Sequence, residues 1–123
     1  MDTTEIIEVL ELYFDGCYEG DGDKITKVFH DSAHVYGHAP DGSLSDTPKA
    51  DFVKLVSSMP DGTPSYPRED KIISIDFTGE NTAIAQVQIR VFNTLFTDML
   101  CFMRVDGKWG VIAKVYSGVS IEV

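Results

Sequence analysis

Basic residues are scarce in this sequence: 10 Lys and Arg stand against 20 Asp and Glu, for a net charge of -10 at pH 7. A field of that sign repels phosphate backbones and anionic lipid headgroups, so nucleic acids and membrane surfaces are not expected partners. Cysteine is scarce as well. Cys17 and Cys101 fall in an expected helix and an expected strand, without the spacing of a metal knuckle or a redox pair, and read as two reduced, largely buried thiols. No apolar stretch approaches the roughly 20 residues that span a bilayer. The opening Met1-Asp2-Thr3-Thr4-Glu5 is not a charged segment leading into an apolar run, which makes the cytoplasm the expected location. Also missing are a phosphate-binding loop and a nucleophile elbow, so nucleotide-dependent and covalent chemistry find no support, and no cofactor is expected.

What remains is ordinary globular composition, 43% hydrophobic and 24% charged over 123 residues. That supports one domain with one core, residues 1–123, and an α+β class. Helix one is expected over Asp2 to Cys17. Asp2 with Glu5 forms a capping signal, Ile6, Leu10, Tyr13 and Cys17 recur at helical spacing, and Val9 and Phe14 widen the apolar face. The Gly20-Asp21-Gly22-Asp23 run ends that helix and caps a short second one, roughly Lys24 to Phe29. Alternation follows, with Ala33, Val35 and Gly37 on one side and His34, Tyr36 and His38 on the other, up to a Pro40-Asp41-Gly42 turn. Thr47-Pro48 starts a third helix with proline at its first position, and Phe52, Val53, Leu55, Val56 and Met59 form its apolar face. The proline-rich stretch from Pro60 to Arg68 reads as a surface loop with Tyr66 as its large side chain; the sequence does not say whether it closes over a pocket.

From Asp70 onward the pattern is strand: Lys71 to Thr78, Thr82 to Phe92, Leu95 to Val105 and Lys108 to Ser117. The Asp106-Gly107 turn fixes the last hairpin, and counting back from it sets Arg104 opposite Trp109, Phe102 opposite Val111, Leu100 opposite Ala113 and Asp98 opposite Val115 on one largely apolar face. A turn at Asn93-Thr94 adds Ala83, Ala85, Val87 and Ile89 to that face. The other face is mixed, pairing Met103 with Gly110, Cys101 with Ile112, Met99 with Lys114 and Thr97 with Tyr116, and places Lys114 beside Arg90 in a solvated or interfacial role. Asp98 therefore points toward the helices. A buried carboxylate needs a partner: either it bonds a helix terminus or a basic side chain, or it lines a pocket as a proton acceptor.

Tyr13-Phe14-Asp15-Gly16, Gly22-Asp23, Val28-Phe29-His30, Asp41-Gly42-Ser43-Leu44, Phe52, Phe96-Thr97-Asp98, Asp106-Gly107-Lys108-Trp109 and Lys114-Val115-Tyr116 occur here in one order. Together they resemble the putative lumazine-binding family of the nuclear transport factor 2-like superfamily, which includes SnoaL-like polyketide cyclases and ketosteroid-isomerase-like members. The resemblance implies a cystatin-like, cone-shaped α+β fold: N-terminal helices in a strongly bent antiparallel sheet, a pocket open at one end, and a homodimer through the outer face of the sheet. Tyr13, His30, Asp98, Trp109, Lys114 and Tyr116 match the motif positions. Function is specified poorly, because this scaffold serves both enzymes and binding modules.

The expected function is binding of an apolar small molecule between helices and sheet. One alternative is a cofactor-free isomerase, cyclase or dehydratase in which Asp98 accepts a proton and His34 or Tyr13 serves as acid, base or oxyanion donor. Another is a dimeric protein-interaction module. Tyr13, Tyr18 and Tyr36 are candidate donors to a carbonyl oxygen, and each is also compatible with an amphipathic core position. Expected pocket walls are Phe14, Tyr18, Phe52 and Leu55 from the helical part, Val87, Leu100, Phe102, Trp109 and Tyr116 from the long strands, His30 from the segment after the second helix, and Tyr36 from the first strand. His34 and His38 share a strand face about 13 Å apart, too far for one ion, so no metal site is expected.

Overall fold

A computed structural model of the chain describes residues 2–63 and 65–121. Helices α1 (Thr4–Glu19) and α2 (Gly22–Val28) lead into the hairpin β1 (Phe29–His38) and β2 (Leu44–Pro48), then α3 (Lys49–Ser57) and the strands β3 (Asp70–Phe77), β4 (Thr82–Val91), β5 (Thr94–Val105) and β6 (Lys108–Ser120). The six strands form one curved, unclosed sheet in the order β2-β1-β6-β5-β4-β3, and the helices pack on its concave side. This is the α+β cone. The sheet is not wholly antiparallel: β1 runs parallel to β6, so the hairpin of β1 and β2 extends the sheet beyond β6.

Local chemistry accounts for most boundaries. The stripe Ile6, Leu10, Tyr13 and Cys17 is buried, with Phe14 beside it. Gly20 closes α1 in the left-handed region at φ 66°, where its N–H reaches the Gly16 carbonyl. Asp21 caps α2 by accepting from the N–H groups of Asp23 and Lys24. Asp2 accepts from Thr4 instead of closing a box with Glu5, and Thr3 takes the N-cap position of α1. Pro48 precedes α3 as its N-cap and ends the edge strand β2, where a missing N–H is tolerated.

The β5–β6 hairpin turns at Asp106 and Gly107, both at positive φ, and pairs Arg104 with Trp109, Met103 with Gly110 and Phe102 with Val111 as the register predicts. The register then shifts. Cys101 pairs with Ala113, so β6 carries one extra residue, Ile112, and Leu100 lies opposite Lys114 and Asp98 opposite Tyr116. One residue of bulge turns everything beyond it over: Lys114 and Tyr116, which the uninterrupted strand count puts on the outer face, point into the cone, while Val115 points out. The β4–β5 turn lies at Phe92-Asn93 instead of Asn93-Thr94, a shift that preserves parity and keeps Ala83, Ala85, Val87 and Ile89 on the buried face.

Tyr66 is also not a surface side chain. It is 7% exposed, edge-on to Tyr18 at 5.2 Å and against Phe92 at 4.9 Å, and its carbonyl accepts from the Tyr18 hydroxyl at 2.7 Å. The loop is pinned to the end of α1, where Gly62 also donates to the Tyr18 carbonyl. No helix among the described residues is long and apolar enough to cross a membrane.

Candidate functional site

Alternation along β1, β4 and β5 points Val35, Ile89 and Phe96 into the cone, the bulge in β6 adds Lys114 and Tyr116, and α1 and α3 supply Tyr13, Cys17, Phe52, Leu55, Val56 and Met59. These side chains enclose a cavity of about 360 Å³, closed further by Val91, Phe92 and Thr94 at the β4–β5 turn and by Thr47 from β2. Its wall is mostly apolar, as small-molecule sites usually are. The Tyr116 ring packs so closely against Gly37 that a side chain at that position would collide with it.

Tyr13 and Lys114 form the polar floor of the cavity, and Asp98 stands behind them in one chain of three groups. Lys114 Nζ donates to Tyr13 Oη at 2.6 Å, Tyr13 donates to Asp98 Oδ2 at 2.5 Å, and Lys114 Nζ lies 3.7 Å from that same oxygen. Three aromatic rings surround the ammonium, with centroids at 4.6 Å for Phe52, 5.1 Å for Tyr13 and 5.5 Å for Tyr116, favourable for a desolvated cation. Asp98 is fully buried, and its Oδ1 finds no hydrogen-bond partner among the described residues. An ion pair this deep carries a desolvation penalty of several kcal/mol per charge, and the hydrogen bonds through Tyr13 offset it only in part because Asp98 Oδ1 is left without one.

The order of donors follows. A carboxylate can only accept, so Tyr13 gives its proton to Asp98 and receives from Lys114. Burial, then the charge of Asp98, push the Tyr13 hydroxyl well above the ordinary tyrosine value, and it stays a donor at neutral pH. One of the three ammonium N–H bonds is used on Tyr13, and among the described residues the other two have no hydrogen-bond partner. Burial raises the Cys17 thiol to about 11, with the charge of Lys114 opposing and that of Asp98 reinforcing. The native state then keeps a proton that the unfolded state loses above pH 9, so stability falls between pH 9 and 11. The loss attributable to Cys17 is about 3 kcal/mol, and Cys17→Ala should flatten urea-unfolding free energies measured across that window.

Several expected site residues lie elsewhere. His34 faces outward, its Nδ1 2.6 Å from Asp46 Oδ1 across the β1–β2 pair and its ring stacked on Tyr36, because the alternation that buries Val35 and Gly37 turns His34 and Tyr36 out of the cone. His30 Nδ1 accepts from the Ser32 N–H in a groove it shares with Trp109 near the β5–β6 turn, away from the cavity. Phe14, Val87, Leu100 and Phe102 are packed core, and Tyr18 holds the loop through Tyr66. Tyr13, Phe52, Leu55 and Tyr116 do line the cavity. Asp98 points inward but stands behind Tyr13 and Lys114, so it reaches a ligand only through them. Cys17, Ile89, Phe96 and Lys114 belong to the wall without having been expected there. Lys114 was discoverable, since an inward Asp98 calls for a counter-charge and Lys114 is the cation of the adjacent strand nearest to it in register. Among the described residues no three His, Cys, Asp or Glu side chains converge as metal ligands.

The family model described as putative lumazine-binding matches residues 1–117. Two crystal structures share the fold over nearly the whole chain. An NTF2-like protein of unknown function from Shewanella baltica is 26% identical with a TM-score of 0.86, covering 94% of this chain and 92% of its own. A second, from Methylobacillus flagellatus, is 28% identical with a TM-score of 0.82, covering 97% and 93%. The protein called Aldolase FrzH, from a Cladobotryum species, is 23% identical over 113 residues, 90% of this chain and 86% of that one. With a family match over residues 1–117 and the same helix-in-sheet cone in its solved relatives, this chain belongs to the putative lumazine-binding family of nuclear transport factor 2-like proteins.

Proposed function

We propose that this chain is a small-molecule-binding domain whose ligand is an apolar molecule with a carbonyl or anionic oxygen at one end. The observation that carries this is Lys114: a cation 7% exposed at the floor of an apolar cavity, held by Tyr13 and ringed by aromatics. Membership of the putative lumazine-binding family supports small-molecule binding in general. A charged hydrogen bond to Lys114 would then set the ligand's orientation, and burial of its apolar body would supply most of the affinity. A matched set tests it by calorimetry: 2-naphthoate, 2-acetylnaphthalene and naphthalene, with the two oxygenated compounds expected to bind at least tenfold more tightly. Equal affinities across the set would remove Lys114 from the account.

A second reading, a cofactor-free enzyme, is favoured by the unbroken path from Lys114 through Tyr13 to Asp98 and by the relative named an aldolase. In it, Asp98 accepts a proton through Tyr13 rather than from the substrate directly. The isomerase, cyclase and dehydratase alternatives all fit this arrangement better than one using His34.

The outer face supports a homodimer. Met99, Met103 and Val115 expose 44%, 41% and 41% of their surfaces there, and the bulge is what adds Val115 to the patch. Met99→Glu combined with Val115→Glu should give a monomer by light scattering; an unchanged mass would place the interface elsewhere. If the wild type is monomeric, the patch instead favours a protein-interaction module. A cytoplasmic location fits the two free thiols, Cys17 and Cys101.

A further inference from the structure

We infer that Lys114 captures aldehyde or ketone ligands covalently, as an iminium, with Tyr13 and Asp98 carrying the protons. This rests on the proposed binding of a carbonyl compound in the cavity and goes beyond it. A lysine that merely orients an oxygen needs a counter-charge somewhere nearby. It does not need a hydroxyl held at 2.6 Å that itself donates at 2.5 Å to a carboxylate sealed from both solvent and the cavity wall. Asp98 makes no approach to a ligand, yet it is one hydroxyl away from the nitrogen. Its position suits the storage and return of a proton.

The steps balance without an outside reagent. The proton on Nζ passes to Tyr13 Oη while the Tyr13 proton passes to Asp98 Oδ2, leaving a free amine and a neutral carboxylic acid. The nitrogen lone pair attacks the carbonyl carbon, the C–N bond forms, and the carbonyl oxygen takes a proton from nitrogen to give a carbinolamine. Asp98 then returns its proton through Tyr13 to the carbinolamine hydroxyl, the C–O bond breaks, and water departs as the nitrogen lone pair closes the C=N bond. One ammonium and one carbonyl become one iminium and one water, and the Asp98 carboxylate again faces a cation. The surrounding rings of Phe52 and Tyr116 suit that cation as they suit the ammonium. The apolar wall limits the water that would hydrolyse it.

The test treats the full chain at pH 7 with 2-naphthaldehyde and sodium cyanoborohydride, which reduces an iminium to a stable secondary amine, and maps adducts by peptide mass. Lys114 should be modified at least tenfold faster than Lys24, Lys27, Lys49, Lys54, Lys71 or Lys108, and excess 2-naphthylmethanol, which binds without a carbonyl, should suppress that site alone. In Tyr13→Phe, labelling of Lys114 relative to Lys108 in the same sample should fall at least tenfold; an unchanged ratio overturns the proton path. If 2-naphthylmethanol binds by calorimetry while Lys114 labels no faster than the exposed lysines, covalent capture is wrong and the binding proposal stands. If neither binding nor selective labelling occurs, both fall.

Discussion

Asp98→Asn lowers the unfolding free energy by about 3 kcal/mol, and adding Lys114→Met to it restores most of the loss. The carboxylate is fully buried, and asparagine fills the same volume, so the substitution changes charge and little else. It strips the counter-charge from an ammonium that is itself only 7% exposed. Removing one member of a buried pair costs about 3–5 kcal/mol because the other is left uncompensated, and the lower end applies because Lys114 borders a cavity into which it can lean. Taking away the second charge removes that penalty, and methionine keeps much of the apolar stem. Urea unfolding of the two single variants and the double gives the coupling directly. A single-variant loss under about 1 kcal/mol, or additive losses, would mean the pair does not interact as described.

Lys114→Met alone should weaken binding of carbonyl- or carboxylate-bearing ligands about tenfold to a hundredfold, the range of one hydrogen bond to a charged group. The parent hydrocarbon should bind as well as before or better, because methionine extends the apolar floor and no ammonium has to lose hydration. That split distinguishes a ligand contact from a purely structural lysine. Equal weakening for both ligand types would mean the variant has disturbed the cavity rather than removed a contact.

The α1 stripe, the order of elements and the pairing from Arg104–Trp109 to Phe102–Val111 were legible because each rests on local chemistry: a 3.6-residue period, glycine caps and the Asp106-Gly107 turn. The site was less legible, and one residue explains why. Ile112 forms the bulge in β6, and an apolar β-branched residue carries no mark that distinguishes it from an ordinary strand position, so uninterrupted counting leaves Lys114 outside. With Lys114 outside, Asp98 had no partner and the sequence offered no nucleophile. Moving it inside assembles the Lys114–Tyr13–Asp98 chain in one step. Tyr66 escaped for a related reason: proline and glycine around it signal a loop, but whether a loop side chain turns inward depends on Tyr18 and Phe92, which are distant in sequence. His34 is the converse case, a chemically apt residue that strand alternation alone turns away from the cavity.

A crystal structure of the protein soaked with 2-acetylnaphthalene tests the central claim most directly. The account predicts the ring system between Phe52, Ile89 and Phe96, with the ligand's oxygen within hydrogen-bond reach of Lys114 Nζ or its carbonyl carbon joined to that nitrogen. A ligand bound outside this cavity, or seated in it with its oxygen turned away from Lys114 and Tyr13, would contradict it.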